Sequence, residues 1–174
     1  MHITADSSFK IVLNVIKETG TAAQWRPLRL RIEHNDIGNP SKSQRKLLKD
    51  YGIMIMHTPK FDFDSPIRSL LSDGILLGIS PDGTTNPFWD IMVITSQQTH
   101  KDENISREQA VIAYTKTNVF AEFKEKEKGM LSKGMLADLA VLSQDIFTIP
   151  AQQLPSTSSV LTMIYGKIVY FQAF

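Results

Sequence analysis

The 174-residue sequence contains no cysteine, so disulfides and thiolate metal ligands are excluded and any bound metal must be held by His, Asp or Glu. The same absence leaves the compartment open, because a secreted protein need not contain cysteine. No apolar run approaches the roughly 20 residues of a spanning helix. The opening Met1-His2-Ile3-Thr4-Ala5-Asp6 also lacks a basic region followed by an apolar core. The expectation is a soluble chain with no membrane partner, cytoplasmic if it is the complete product. An excess of one charge is missing too: 19 Lys and Arg against 18 Asp and Glu give net +1. Little counterion release from a polyanion would follow, and nucleic acid is not an expected partner. There is no fixed-period repeat and no low-complexity segment. What is present, 42% hydrophobic and 21% charged residues, suits a folded domain with a core.

From Ser8 to Glu18, Phe9, Val12, Leu13 and Ile16 recur at helical spacing, and Gly20 supplies a stop. Leu28, Leu30 and Ile32 alternate with Arg29, Arg31 and Glu33, which predicts a strand running into His34. Ser41 to Tyr51 reads as a helix ended by Gly52, followed by the apolar run Ile53 to Met56 and then His57. Ser65-Pro66 predicts a capped helix start and Gly74 its end, before the run Ile75 to Ile79 and the turn Ser80-Pro81-Asp82-Gly83. Asn86-Pro87 opens a further helix, and Ser106 with Gln109 makes a capping box for another. Lys124 to Lys128 reads as a solvated helix end. After it come short apolar runs, Leu139 to Leu142, Val160 to Ile164 and Lys167 to Phe171, with a hairpin around Tyr165-Gly166. The change of character places a boundary near residue 128, giving units 1–128 and 129–174.

Alternation of strands and helices before that boundary implies a parallel sheet with helical crossovers. His2, His34, His57 and Asp82 mark successive strand ends at intervals of 32, 23 and 25 residues. One strand-plus-helix unit of a TIM barrel takes about 31 residues. In such a barrel the C-terminal strand ends share one rim, so these polar residues would converge. Two imidazoles and a carboxylate there suit Zn²⁺ or a similar ion, which acidifies water for attack on a carbonyl, with the carboxylate as proton acceptor. Taken singly, each has an ordinary reading at least as good: His2 a frayed terminal residue, His34 a hydrogen-bonded core histidine, His57 a strand cap, Asp82 a turn residue beside Gly83. His100 reads as solvent-exposed. The shared placement at strand ends is what favours a site.

With these residues in view, the sequence resembles the C-terminal half of a metal-dependent hydrolase of the amidohydrolase superfamily, in the branch of N-substituted formamide deformylase-like enzymes. His2-Ile3-Thr4-Ala5-Asp6 is similar to the family's fifth-strand histidine segment, and Arg31-Ile32-Glu33-His34 resembles its sixth-strand element. Gly74 to Gly83 with Asn86-Pro87-Phe88 resembles the eighth-strand segment, and Gly134-Met135-Leu136-Ala137-Asp138 to Asp145 the exit into a β-sandwich. The resemblance implies an α/β fold: strands five to eight of a (β/α)8 barrel over 1–128, followed by part of a small sandwich over 129–174. It implies His2, His34 and Asp82 as metal ligands, Asp82 as the catalytic proton acceptor, and His57 as a rim residue near substrate. Ala137-Asp138 would be architectural.

The resemblance also marks a departure. The family carries a His-x-His pair after its first strand and usually a bridging acidic group near its fourth, and neither region is in this sequence. The expectation is therefore a fragment of an enzyme that cleaves a C–N, amide-like bond in a small molecule with a divalent ion, zinc by donor type, and that is inactive alone. The chain by itself need hold no ion. The alternative expectation is a non-catalytic assembly or binding module. An open barrel edge would favour a homo-oligomer.

Overall fold

The structure, a computed structural model, describes residues 1–34, 37–60, 65–83 and 86–173. Helix α1 (Asp6–Thr19) leads through a short α2 (Ala22–Trp25) and a 3-10 turn (Arg26–Leu28) to β1 (Arg31–His34). Then follow α3 (Lys42–Tyr51), β2 (Met54–His57), α4 (Ile67–Ser72) and β3 (Leu77–Ile79). Helices α5 (Pro87–Ser96) and α6 (Arg107–Ile112) come next, the latter running through a π-helical stretch (Ala113–Thr117) into α7 (Asn118–Ala121). Strands β4 (Leu139–Leu142), β5 (Ser159–Ile164) and β6 (Lys167–Phe171) complete the order.

The first three strands form a parallel sheet in the order β1-β2-β3. Residues Met1 to Ile3 extend it beyond β1: His2 bridges Glu33 in parallel, Glu33 N–H donates to the Met1 carbonyl at 2.8 Å and Ile3 N–H to Glu33 at 3.3 Å. Four parallel segments therefore lie side by side, joined by helical crossovers as parallel pairing requires. Register partners Ile32, Ile55 and Leu77 belong to one buried cluster with Phe9, Leu13 and Ile16 of α1, Leu48 of α3, and Ile67 and Leu70 of α4. Burying each such side chain contributes about 1.5–3 kcal/mol, which ties the helices to one face of the sheet. Near the other face, Gly78 leaves room for Asn118 of α7, whose Nδ2 donates to the Ile79 carbonyl at 2.9 Å. The second sheet is antiparallel, β4-β5-β6, with Tyr165 and Gly166 both at positive φ in the expected hairpin turn. Asp138 Oδ1 accepts from Tyr165 N–H at 2.7 Å, so the Ala137-Asp138 segment anchors that turn. Ile146 and Leu154 join the cluster of the parallel sheet, and Asn86 Nδ2 donates to the Pro155 carbonyl at 2.8 Å.

The capping box of Ser106 with Gln109 forms as expected, the structure adds a second one of Ser41 with Gln44, and Asn86 accepts from Phe88 and Trp89 N–H. Three local expectations are corrected. The strand foreseen from Leu28 starts only at Arg31, because Pro27 opens a helical turn and Arg29 takes a left-handed φ of 48°. The N-cap of α4 is Pro66 rather than Ser65, so the proline stands before the helix and not in its first turn, and the Ser69 N–H is met from a distance by Glu103 Oε2 at 2.8 Å. The Lys124 to Lys128 stretch is a series of turns rather than a helix end, because Glu125 is drawn to Arg29. Among the described residues, no helix is long and apolar enough to cross a membrane.

Candidate metal centre

Along β1 the side chains alternate: Ile32 enters the core cluster, while Arg31 and Glu33 on the other face pair through Nε and Oε1 at 2.9 Å. By alternation His34 would follow Ile32 toward the helices. Instead its φ of 81° breaks the strand geometry at the last residue and swings the ring toward the neighbouring N-terminal segment. His34 Nε2 then lies 2.5 Å from His2 Nδ1, with ring centroids 4.7 Å apart. On its other side His34 Nδ1 stands 3.8 Å from Asp82 Oδ2. Asp82 too has a left-handed φ, 42°, in the turn that follows β3. A non-glycine residue held in that region costs on the order of 1–3 kcal/mol and persists only where its surroundings impose it. Residues 2, 34 and 82, separated by three crossovers, thus meet around one imidazole at the C-terminal ends of parallel strands.

His57 is register partner to His34 but is fully buried, and desolvation pushes its imidazole pKa down to about 3, so the ring is neutral at pH 7. It offers no surface to solvent. His100 is exposed, as expected. An apolar groove of about 770 Å³, lined by Phe88, Ile91, Val111, Tyr114, Leu142 and Phe147 among others, lies between α5, α6 and β4 and includes none of the three converging residues.

Two imidazoles and a carboxylate suit an ion of zinc's class by donor type. Their spacing is another matter. Two nitrogens on one tetrahedral Zn²⁺ are separated by about 3.3 Å, given metal–nitrogen bonds of about 2.0–2.1 Å. The 2.5 Å between His2 and His34 is a hydrogen-bond contact between the rings, and among the described residues no group of three His, Cys, Asp or Glu is arranged to hold an ion. The donors fit a divalent ion in kind and fall short of closing around one.

Two polar features escaped the sequence reading. Arg29 makes a forked pair with Glu125, at 2.8 and 2.6 Å, and its guanidinium stacks 3.7 Å over Phe120 and 4.2 Å over Phe123. The pair holds the Glu125 carboxyl down at about 2. The other is buried Asp90, which accepts from the Tyr114 hydroxyl. Its signal was available: Asp90 is the one charged residue in the apolar helix Pro87–Ser96.

The amidohydrolase family model matches residues 1–170. The chain belongs to the amidohydrolase family. It is 30% identical over 115 residues to YtcJ of Bacillus subtilis (strain 168), covering 59% of this chain and 22% of YtcJ. It is 24% identical over 168 residues to an N-substituted formamide deformylase of Arthrobacter pascens, covering 81% of this chain and 31% of the deformylase. Among solved structures, an amidohydrolase from Thermotoga maritima superposes with TM-score 0.71 at 18% identity over 99% of this chain and 43% of its own. An adenosine deaminase from Xanthomonas campestris with bound zinc gives TM-score 0.68 at 15% identity over 98% of this chain and 51% of its own. This amidohydrolase chain therefore spans less than a third of the curated relatives it matches, and its fold is shared with part of larger hydrolases.

Proposed function

We propose that this chain is the C-terminal portion of an amidohydrolase that cleaves a C–N bond in a small amide-like molecule, contributing strands five to eight of the barrel and part of the sandwich, with its division near residue 128. The observation that carries the reading is the meeting of His2, His34 and Asp82 at strand ends. When bound, a divalent ion would lower the pKa of water toward 7 and polarise the substrate carbonyl. His2 and His34 would hold that ion through their ring nitrogens. Asp82 would help hold it and, through Oδ2, take the proton of the attacking water and deliver it to the departing nitrogen. His57, neutral and buried, would shape the floor beneath the substrate. The remaining donors must come from outside this chain, so the chain alone is inactive. The second reading, an assembly or binding module without catalysis, draws on the imidazole spacing, which is too short for two ligands of one ion.

The test is to produce this chain together with the N-terminal portion of the A. pascens deformylase and assay a panel of N-substituted amides with added Zn²⁺. Turnover that needs both pieces, and that falls by orders of magnitude in Asp82→Asn with the assembly intact, supports hydrolysis. Near-normal turnover in that variant removes Asp82 from its role, and an assembled, metal-loaded but inert pair favours the binding module.

A further inference from the structure

We infer that α7 and the turns after it are an intrachain plug: they lie across the inner face of the half barrel, latched by Arg29 and Glu125, and the family's remaining strands have to displace them to close on this chain. The inference rests on the reading of the chain as one part of a barrel. Helices form the outer ring of such a barrel, so the face of Ile32, Ile55 and Leu77, packed with α1, α3 and α4, is the outer one. Alternation then puts Glu33, Met56 and Gly78, register partners across β1, β2 and β3, on the inner face. That face is covered. Met54 and Met56 are 0% and 4% exposed, and among the described residues neither belongs to the cluster of the outer face.

Two anchors show what covers it. At β3, a Cβ on Gly78 would meet Asn118 Oδ1 as well as Met56 Cε, which sets the Asn118 side chain on the inner side, and its Nδ2 donates to the Ile79 carbonyl at 2.9 Å and to the Tyr114 carbonyl at 3.2 Å. At β1, Arg29, two residues ahead of the strand, donates to the Phe120 carbonyl and forks onto Glu125 at 2.8 and 2.6 Å. Because β2 stands between β3 and β1, the segment from Asn118 to Glu125 crosses it on the inner side. Its Val119 and Ala121 are buried too, and Gly129 packs back against Val119. In a closed barrel that space is filled by layers of inward side chains from all the strands, so plug and partner strands exclude each other. The two anchors are unequal. Asn118 Oδ1 is buried without a hydrogen-bond partner, a cost to the plugged state at β3, whereas the fork at β1 is charge-assisted and framed by two aromatic rings. The fork is therefore the latch.

The test uses single thiols in the full chain, which has no cysteine of its own. Met56→Cys should label slowly with a disulfide reagent in the otherwise unchanged chain, and adding Arg29→Ala should speed it about tenfold, the shift in open population that loss of one forked pair brings. Ile55→Cys, one residue away on the outer face, should keep its rate in both backgrounds, since its burial does not involve the plug. If Met56→Cys fails to fold, Met54→Cys takes its place. Fast labelling without Arg29→Ala, or equal acceleration on both faces, would overturn the plug. As the partner, the N-terminal portion of the A. pascens deformylase should bind the Arg29→Ala chain about tenfold more tightly than the wild type, because apparent affinity scales with the fraction in the open form. Equal affinity would overturn the exclusion. Binding to neither chain would count against the barrel reading, while the thiol rates still decide the plug.

Discussion

His2 Nδ1 and His34 Nε2 stand 2.5 Å apart although 32 residues separate them in sequence, because a parallel bridge aligns their segments and a left-handed φ turns His34 across. At that spacing one ring donates to the other, and an ion entering the site must first part them. Zinc binding by the chain alone should therefore be weak and depend on both rings. Replacing either His2 or His34 by Ala should raise the half-saturating Zn²⁺ concentration by about tenfold or more in calorimetric titration. An unchanged titration in His34→Ala would place the binding elsewhere.

Arg29 and Glu125 bring the entrance of β1 to the end of α7 through a forked ion pair framed by Phe120 and Phe123. Arg29→Ala removes the fork and both stacking contacts and should cost about 1–3 kcal/mol, read from the urea midpoint. Arg29→Lys should recover only a fraction, since an ammonium cannot make the planar fork. Full recovery by Lys would show that charge alone matters.

His57 makes stability depend on pH. Its folded pKa of about 3 lies below an unfolded value of about 6.5, so the unfolded chain takes up the proton first as pH falls. The contribution is complete above about pH 6.5 and is lost progressively as pH falls from there toward 3. In His57→Phe, which removes the titrating ring, the melting temperature should decline less steeply across this window than in the wild type. Parallel curves would remove His57 as the source.

Gly78 is needed for close approach rather than for its own backbone freedom. A Cβ there would stand 2.7 Å from Met56 Cε and would clash with Asn118 Oδ1. Gly78→Ala should cost about 1–3 kcal/mol through overpacking of this contact, measured by chemical denaturation. A neutral result would mean that the Met56 and Asn118 side chains turn aside at no cost, and that close approach does not require glycine here.

Local signals in the sequence were read well where the structure also satisfies them locally. The capping box at Ser106, the stop of α3 at Gly52 and the hairpin at Tyr165-Gly166 each close within a few residues. The meeting of His34 and Asp82 was legible only through a regularity, polar residues recurring at strand ends, since nothing in the intervening chain encodes their distance. Leu28 and Leu30 misled because alternation there is outweighed by Arg29, whose partners lie 91 to 96 residues away. The burial of His57 was equally hidden: a histidine after an apolar run looks the same whether it caps a strand or continues into the core. Residues whose conformation answers to distant partners were the ones the linear pattern could not place.

The most direct measurement is a long-range proton–nitrogen NMR spectrum of the four histidine rings during addition of Zn²⁺. If the strand ends form a common donor set, the His2 and His34 nitrogens shift together, His57 and His100 stay where they were, and Asp82→Ala weakens the paired response. Movement of His100 alone, or of His2 without His34, would contradict a shared site.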